Sequence, residues 1–471
     1  MLNFVHGSVR HCDGISRRGF LKAGTAGVGG LSLANLLQWE AQAGIRSSHK
    51  AVINIHLDGG PPQMDLIDPK AEAPEEIRGV FSEIPTKIPG VRFTELIPQI
   101  AGSADKFAFI RSLVGAAGRH DAFQCQSGYD AKDLAGLGGR PAMGCVVSKL
   151  QGRPDDAAPV FVDLLQGRPL ARNSARPGFL GPTYRPMRPD ISHISHRELE
   201  PGMKAELARL GVTGESMQLD LVDGITVGRM DKRIDLLRNL DGVRRDIDRS
   251  GSMSAMDTFT QQAFGILTSG RFAEAMDLSR EDPRIVERYT PRLNGPNPEA
   301  YTTETPAAAQ KFLLARRLIE AGVRCVSVSL SDFDTHRSNF DRMRYLGPLM
   351  DHAIATLVAD LDERGLLDDV MIVAWGEFGR TPKVNDKGGR DHWPRVGMAM
   401  MAGGGIEGGQ VIGATDKTAS ECTERPISYQ DVMATLYHHL GIDARNTTVQ
   451  DTTGRPQYLV ESGRPIRELV G

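Results

Sequence analysis

The sequence predicts an α/β protein built on a mostly parallel central sheet with helices on both faces. Six short apolar runs, each bounded by turn residues, are typical of buried strands, and helical periods lie between several of them. Strands that alternate with helices along a chain pair in parallel through right-handed crossovers. The chain of 471 residues, 40% of them hydrophobic, is long enough for one large domain with insertions or for two domains.

Each element follows from a short stretch of sequence. "KAVINIHLDGG" predicts a strand over about 51–57 that ends at an abrupt Gly-Gly-Pro-Pro turn. Five further strands are predicted, in chain order, at 107–113, 158–164, 323–330, 369–375 and 396–403. Helical periods precede the fourth and fifth runs and end near glycine, as helix C-termini often do. The charged region 185–310 breaks the rhythm, and we predict a helical insertion there.

The bulk charge gives no sign of a polyanionic partner. Lys and Arg number 56 and Asp and Glu 59, so the net charge of -3 indicates neither nucleic-acid binding nor an anionic membrane surface. The five cysteines are scattered without a CxxC pair. This spacing predicts neither a disulfide framework nor a thiolate zinc site.

The N-terminus resembles a twin-arginine export leader. "SRRGFLKAGTAGVGGLSLANLL" places Arg17 and Arg18 before a weakly apolar stretch, and "AQA" at 41–43 offers a cleavage site. We therefore predict a signal peptide over 1–43, a folded domain over 44–471, and a periplasmic or cell-envelope location reached through the twin-arginine (Tat) translocase. The apolar stretch is too short and glycine-rich for a stable membrane span. An uncleaved leader serving as a tether is the alternative.

Polar side chains suited to a divalent cation follow three predicted strands. They are Asp58, Asp65 and Asp68 after the first, Asp332, Asp334 and His336 after the fourth, and Glu377, Arg380, Asp391 and His392 after the fifth. Ligands of an open parallel sheet collect beyond the carboxyl ends of its strands, so we expect these groups to converge. Oxygen and nitrogen donors suit Zn²⁺, Mn²⁺, Mg²⁺ or Ca²⁺. Alternatively, Asp58 only stabilises the turn before Gly59.

The turn at 117–121 lies between a strand and a helical run, a layout that favours an anion at the helix N-terminus. It carries Arg119, His120 and Asp121 but no Ser, Thr or Cys that could act as a nucleophile. His120 is therefore a candidate nucleophile, general acid/base or further metal ligand. His56, by contrast, lies within a strand, where a core residue is expected.

Several motifs carry a resemblance to a known family. They are "SRRGFLK", "LDGGPPQMDLIDPK", "GRPAMGCVVSKLQG", "PGFLGPTYRPM", "DFDTHRSNF" and "WGEFGRTPKVNDKGGRDHWP". Together they resemble, over nearly the whole chain, the bacterial family catalogued as domain of unknown function 1501, which is common in planctomycetes and usually exported by the twin-arginine route. That family is grouped with the alkaline phosphatase and sulfatase superfamily. The resemblance therefore implies an alkaline phosphatase-like three-layer sandwich.

The superfamily holds two divalent cations around a nucleophile. The resemblance implies one metal site from Asp332, His336 and His392, and a second from Asp58 or Asp65 with Glu377. Phe378 stands where the second site would have a histidine. The chain also lacks the Cys-x-Pro-x-Arg signal of formylglycine sulfatases.

These observations lead to two functional hypotheses. The first is an exported metal-dependent hydrolase of phosphate or sulfate esters, acting on a small-molecule or glycan ester. Its metal ligands would be Asp332, His336, Asp391 and His392 at one site and Asp58, Asp65 and Glu377 at another. Arg380 would bind the anion bidentately, and His120 would transfer the proton. The second hypothesis is a non-catalytic envelope or glycan-binding protein on the same fold, with a structural cation.

Overall fold

The computed structural model describes residues 50–120, 122–130, 132–135, 138–153, 156–165, 175–191, 194, 270–293, 302 and 304–470. The predicted leader at 1–43 lies outside these residues, as does most of the predicted insertion at 185–310. None of the helices in the described ranges combines the length and apolar character needed to cross a membrane.

Strands and helices alternate along the described chain. The strands are β1 (Ala51–Leu57), β2 (Glu83–Pro85), β3 (Arg92–Thr94), β4 (Phe107–Val114), β5 (Phe161–Leu164), β6 (Cys325–Leu330), β7 (Val370–Trp375), β8 (Gly379–Arg380), β9 (His392–Trp393), β10 (Gly397–Gly403), β11 (Gln410–Ile412), β12 (Ala414–Thr415), β13 (Cys422–Glu424), β14 (Ile427–Ser428), β15 (Thr448–Gln450) and β16 (Pro456–Tyr458). The α-helices are α1 (Glu75–Arg78), α2 (Pro98–Gly102), α3 (Phe123–Ser127), α4 (Lys132–Ala135), α5 (Met143–Gln151), α6 (Arg271–Met276), α7 (Pro283–Arg288), α8 (Gln310–Glu320), α9 (Asn339–Glu363), α10 (Tyr429–His439) and α11 (Arg467–Val470).

The central sheet has the strand order β11-β4-β10-β7-β1-β6-β5, and β14 pairs with β4 beside this path. The pairs β1–β6, β1–β7, β5–β6 and β11–β4 are parallel, whereas β10 is antiparallel to both β4 and β7. The prediction of a mostly parallel sheet is confirmed. Because β4 and β7 run in the same direction, the carboxyl ends of β1, β4, β6 and β7 meet the start of β10 at one rim.

Two apolar layers enclose the sheet. Successive residues of β1 alternate between them, with Val52 in one hydrophobic cluster and Ile53 in the other, as a period of two requires. The Ile53 layer receives side chains of α2, α8 and α9, namely Ile100, Phe312 and Leu346. The Val52 layer receives side chains of α3, α5 and α10, namely Cys125, Val146 and Val432. The fold is therefore a three-layer sandwich, as the sequence predicts.

A glycine pair shapes the rim beyond β1. Gly59 and Gly60 both have positive φ angles, of 101° and 75°, which glycine adopts without steric cost. A Cβ atom on Gly59 would lie 2.4 Å from the backbone nitrogen of Asp334. Only glycine at this position lets the segment that follows β6 approach the end of β1, and the polar residues of the two segments become neighbours.

Candidate metal centre

Asp334 lies at the middle of the rim and faces four nitrogen-bearing side chains. Its Oδ1 is 2.6 Å from Arg380 Nη2, 3.0 Å from His336 Nε2 and 3.2 Å from His392 Nε2. Its Oδ2 is 3.2 Å from His120 Nε2. Burial would raise the pKa of the Asp334 carboxyl, but hydrogen bonds from His120, His392 and Arg380 lower it well below its usual range. The carboxylate is therefore ionised at any physiological pH.

Two imidazoles converge beside this carboxylate. His336 Nε2 and His392 Nε2 are 3.0 Å apart, and ligand atoms of His120, Asp334 and His392 all lie within 4.8 Å of one another. Asp391 Oδ1 lies 2.7 Å from His336 Nδ1. A carboxylate on the far nitrogen of an imidazole fixes the tautomer and orientation of a metal-ligating histidine. We refer to Asp334, His336 and His392 as the outer group.

A second group of ligand-type side chains is buried beneath the first. His56, Asp58 and Glu377 place ligand atoms within 4.8 Å of one another, and all three are buried. His56 Nε2 is 3.0 Å from Glu377 Oε2, and the Gly59 amide donates to Glu377 Oε1 at 3.0 Å. His56 Nδ1 is buried without a partner among the described residues. The expectation that His56 is only a core residue was therefore incomplete. We call this the inner group.

His120 lies between the two groups. Its Nε2 is 3.2 Å from Asp334 Oδ2 of the outer group, and its Nδ1 is 3.2 Å from Glu377 Oε1 of the inner group. The side chain is 30% exposed. Burial would lower the pKa of His120, but the carboxylates of Asp334 and Glu377 raise it to about 10. One imidazole thus connects both groups and still reaches solvent.

The donor set of the two groups fits a divalent cation. Three carboxylates, Asp58, Asp334 and Glu377, lie close to imidazoles. The two that belong to the inner group, Asp58 and Glu377, are almost entirely removed from water. Buried carboxylates are costly unless cations compensate them. The unpartnered Nδ1 of His56 adds a nitrogen donor in the same buried region. Mixed oxygen and nitrogen donors without thiolate suit the ions named from the sequence.

Two residues chosen from the sequence have other partners. Asp65 forms a buried bidentate ion pair with Arg390, with Oδ1 2.9 Å from Nη2 and Oδ2 3.0 Å from Nε, and also accepts from Asn339 Nδ2 at 2.7 Å. Both of its oxygens are occupied. Asp332 has a positive φ of 75° and accepts from Thr302 Oγ1 at 2.7 Å. We therefore leave Asp65 and Asp332 out of the proposed ligand set.

The contacts of Arg380 do not fit the predicted role in binding an anion. Its guanidinium is fully buried and donates to the carbonyl oxygens of Gly59, Gly60 and Arg390 as well as to Asp334. These protein acceptors occupy all three of its nitrogens. Arg380 therefore fixes the Gly-Gly turn and orients Asp334, and it has no free edge for bidentate binding of an ester.

Asp334 was one of the polar residues predicted at the rim, but the resemblance implied Asp332 as the metal ligand of this segment. The spacing Asp332-x-x-x-His336 matched a known ligand motif, whereas the structure brings Asp334 next to His336. The signal that could have identified it is the alternation of "DFDTH", in which Asp334 and His336 are two residues apart. His120, Glu377, Asp58, His392 and Asp391 all lie at this rim.

Comparison with known proteins gives a family and distant structural likenesses. The model of the family described as "Protein of unknown function (DUF1501)" matches residues 49–470. No functionally curated protein matches the sequence. Among solved structures, a sulfatase from Pseudoalteromonas sp. is similar with a TM-score of 0.38 at 12% identity, over 87% of this chain and 70% of that chain.

Two phosphonate monoester hydrolases are similar to this chain, with TM-scores and identities close to those of the sulfatase. The enzyme from Silicibacter pomeroyi gives a TM-score of 0.36 at 12% identity, over 90% of this chain and 76% of its own. The enzyme from Agrobacterium radiobacter gives a TM-score of 0.33 at 14% identity, over 89% and 77%. At these identities the likeness concerns the fold alone.

Proposed function

The chain belongs to the DUF1501 family, and we propose that it is a metal-dependent hydrolase of phosphate or sulfate esters. The observation that carries this proposal is the convergence of Asp334, His336 and His392 around one point at the carboxyl rim of the sheet. Asp334 and His336 lie in the segment after β6 and His392 lies on β9, so segments distant in sequence supply these groups. The rim is where ligands of an open α/β sheet bind. A mixed carboxylate and imidazole set at such a rim is typical of metal-assisted hydrolysis.

We assign the proposed metal ligands from the positions of the side chains in the outer and inner groups. Asp334, His336 and His392 would hold it on the outer side, and His56, Asp58 and Glu377 form the buried set beneath. A divalent cation supplies Lewis-acid polarisation of the ester. Asp391 holds the imidazole of His336 through Nδ1, which keeps Nε2 directed at Asp334.

His120 is the proposed proton-transfer residue. Glu377 Oε1 binds its Nδ1, and this contact directs Nε2 toward Asp334 and the solvent-accessible side. Glu377 is in turn held by the Gly59 amide and His56, so the orientation of His120 depends on buried groups. A positioned imidazole that reaches solvent is suited to giving or taking the proton of an oxygen leaving group or of attacking water.

The test combines metal analysis with an ester screen. We expect purified protein to bind divalent metal and to turn over at least one of an aryl phosphate, an aryl phosphodiester and an aryl sulfate. Chelation should abolish turnover, and one of Zn²⁺, Mn²⁺, Mg²⁺ or Ca²⁺ should restore it.

The turn at 117–121 lacks Ser, Thr and Cys, which favours a second candidate, a non-catalytic glycan binder with a structural cation. Stoichiometric metal without turnover of any ester would support that candidate and contradict the hydrolase.

We also propose that residues 1–43 direct the protein to the periplasm or cell envelope by the twin-arginine route. The Arg17-Arg18 pair within "SRRGFLK" supports this proposal. Replacing both arginines with lysine preserves the charge and removes the signal, so the precursor should accumulate in the cytoplasm. Fractionation followed by immunoblotting measures the effect. Unchanged export of the double variant would contradict a twin-arginine route, and substitution of Lys22 by arginine serves as the control.

A further inference from the structure

A cavity of about 520 Å³, wide open to solvent, adjoins the metal centre beside the hairpin of β8 and β9. This volume is within the range of small-molecule sites, roughly 300–1,000 Å³. Asp391 lines the cavity, and its Oδ1 is also 2.7 Å from Nδ1 of His336 in the outer group. The cavity and the outer group therefore share Asp391 as a common side chain.

Trp393 gives the cavity a fixed aromatic wall. Strand β9 pairs with β8, and the neighbours His392 and Trp393 project to opposite sides of it, as successive strand residues do. His392 faces Asp334, while Trp393 lines the cavity. The indole Nε1 donates to the carbonyl oxygen of Ser420 at 2.7 Å, which holds the ring in place. A rigid indole contributes contact area at a low cost in conformational entropy.

Polar groups at the cavity complement this apolar wall. Lys383 and Asp386 line it, and neither side chain has a hydrogen bond or ion pair with another described residue. Pro382 and Val384 flank Lys383 on the same loop, and Asn385 precedes Asp386. A sugar ring presents an apolar C–H face for an aromatic ring and hydroxyl groups at its edge. Each hydroxyl both donates and accepts, so it can bind an ammonium group or a carboxylate.

The charges at the cavity favour an uncharged ring. Asp386 and Asp391 carry two negative charges against one positive charge on Lys383. Arg395 lies over the ring of Trp393, but it is paired with Glu421 and leaves this balance unchanged. The cavity therefore offers no net positive charge to a phosphate or sulfate. The ester group would therefore be bound at the metal centre, and the neighbouring part of the substrate would be neutral.

From these features we propose that the cavity binds a neutral sugar residue of the substrate, so that the substrate class is a phosphorylated or sulfated glycan. This inference rests on the proposed hydrolase function for its link to the ester. Trp393 would stack on the sugar ring with the indole face opposite Arg395, whose guanidinium carbon lies 5.5 Å from the ring centroid. Lys383 and Asp386 would bind the hydroxyl groups of the sugar. The sugar site itself requires no chemical step and is tested by binding alone.

The experiment is isothermal titration calorimetry of the metal-loaded full chain with neutral trisaccharides built from glucose, galactose, xylose, mannose or N-acetylglucosamine. At least one is expected to bind with saturation. Trp393→Ala should weaken that binding by about tenfold or more, and Trp393→Phe by only a few-fold, because phenylalanine retains a stacking surface. Tyr458→Ala is the matched control, since Tyr458 is an exposed aromatic residue on β16, 57% accessible, that does not line the cavity.

Three outcomes would overturn the sugar site. They are no binding by any saccharide, equal binding by wild type and Trp393→Ala, and binding of adenosine or uridine 5′-monophosphate without any saccharide. Metal content, measured on each variant, separates this result from the hydrolase test. Saccharide binding that depends on Trp393 in a protein without ester turnover would support the sugar site and contradict only the hydrolase.

Discussion

Replacement of Asp334 by asparagine is expected to lower divalent-metal affinity on the order of 100-fold or more and to abolish ester turnover. Asp334 Oδ1 lies 2.6–3.2 Å from His336, His392 and Arg380. This one carboxylate therefore contacts both histidines of the outer group. Changes in residues that only support metal ligands already cost about 10–100-fold. Removing a metal ligand at the centre of the group should lower the metal affinity by at least as much.

The matched control is Asp332→Asn, two residues away. Asparagine tolerates the positive φ of 75° found at Asp332, and its side-chain oxygen can still accept from Thr302. We expect this variant to retain metal and turnover. Equilibrium dialysis with elemental analysis measures metal binding, and thermal unfolding controls for loss of the contact between Asp334 and Arg380. If Asp332→Asn loses metal while Asp334→Asn keeps it, the ligand set suggested by the Asp-x-x-x-His spacing is right and ours is wrong.

The fold was largely predictable because its strands are buried on both faces. The apolar runs that predicted strands at 51–57, 369–375 and 396–403 correspond to β1, β7 and β10, with differences of at most one residue at their ends. Buried strands of this kind are nearly continuous in apolar residues and stand out without an alignment. The antiparallel direction of β10 could not be predicted, because a periodic pattern is the same in both directions.

The site was predictable as a region but not residue by residue. Strand ends placed the polar segments at one rim, as the parallel pairing requires. The roles of Asp332 and Asp334 depend on the φ of a single residue and on the Gly-Gly turn that packs against their segment. Neither feature has a periodic signature. His56 lies in an apolar stretch of sequence, and its contact with Glu377 is visible only in the structure.

Asp65 shows why an acidic residue after a strand is not sufficient to identify a ligand. Arg390 is 10 residues beyond Arg380 and immediately precedes Asp391 and His392. The Asp65–Arg390 ion pair therefore ties the turn after β1 to the segment that carries two residues of the centre. Arg390 also donates to the carbonyl oxygens of Ile77, Thr381 and Pro382. We therefore propose that Asp65 positions the segment of Asp391 and His392 and is not itself a metal ligand.

Asp65→Ala is accordingly expected to lower the free energy of unfolding by about 3–5 kcal/mol, because it leaves the buried guanidinium of Arg390 without its charge partner. Both side chains of the pair are 0% exposed, so solvent cannot compensate the loss. The matched control is Asp341→Ala, which removes an exposed ion pair with Arg344 and should cost about 1 kcal/mol or less. Urea unfolding followed by circular dichroism measures both.

The double variant Asp65→Leu with Arg390→Met should recover part of the stability, since it removes the unpaired charge. A cost for Asp65→Ala no larger than that for Asp341→Ala would show that the ion pair does not hold the segment of His392 in place.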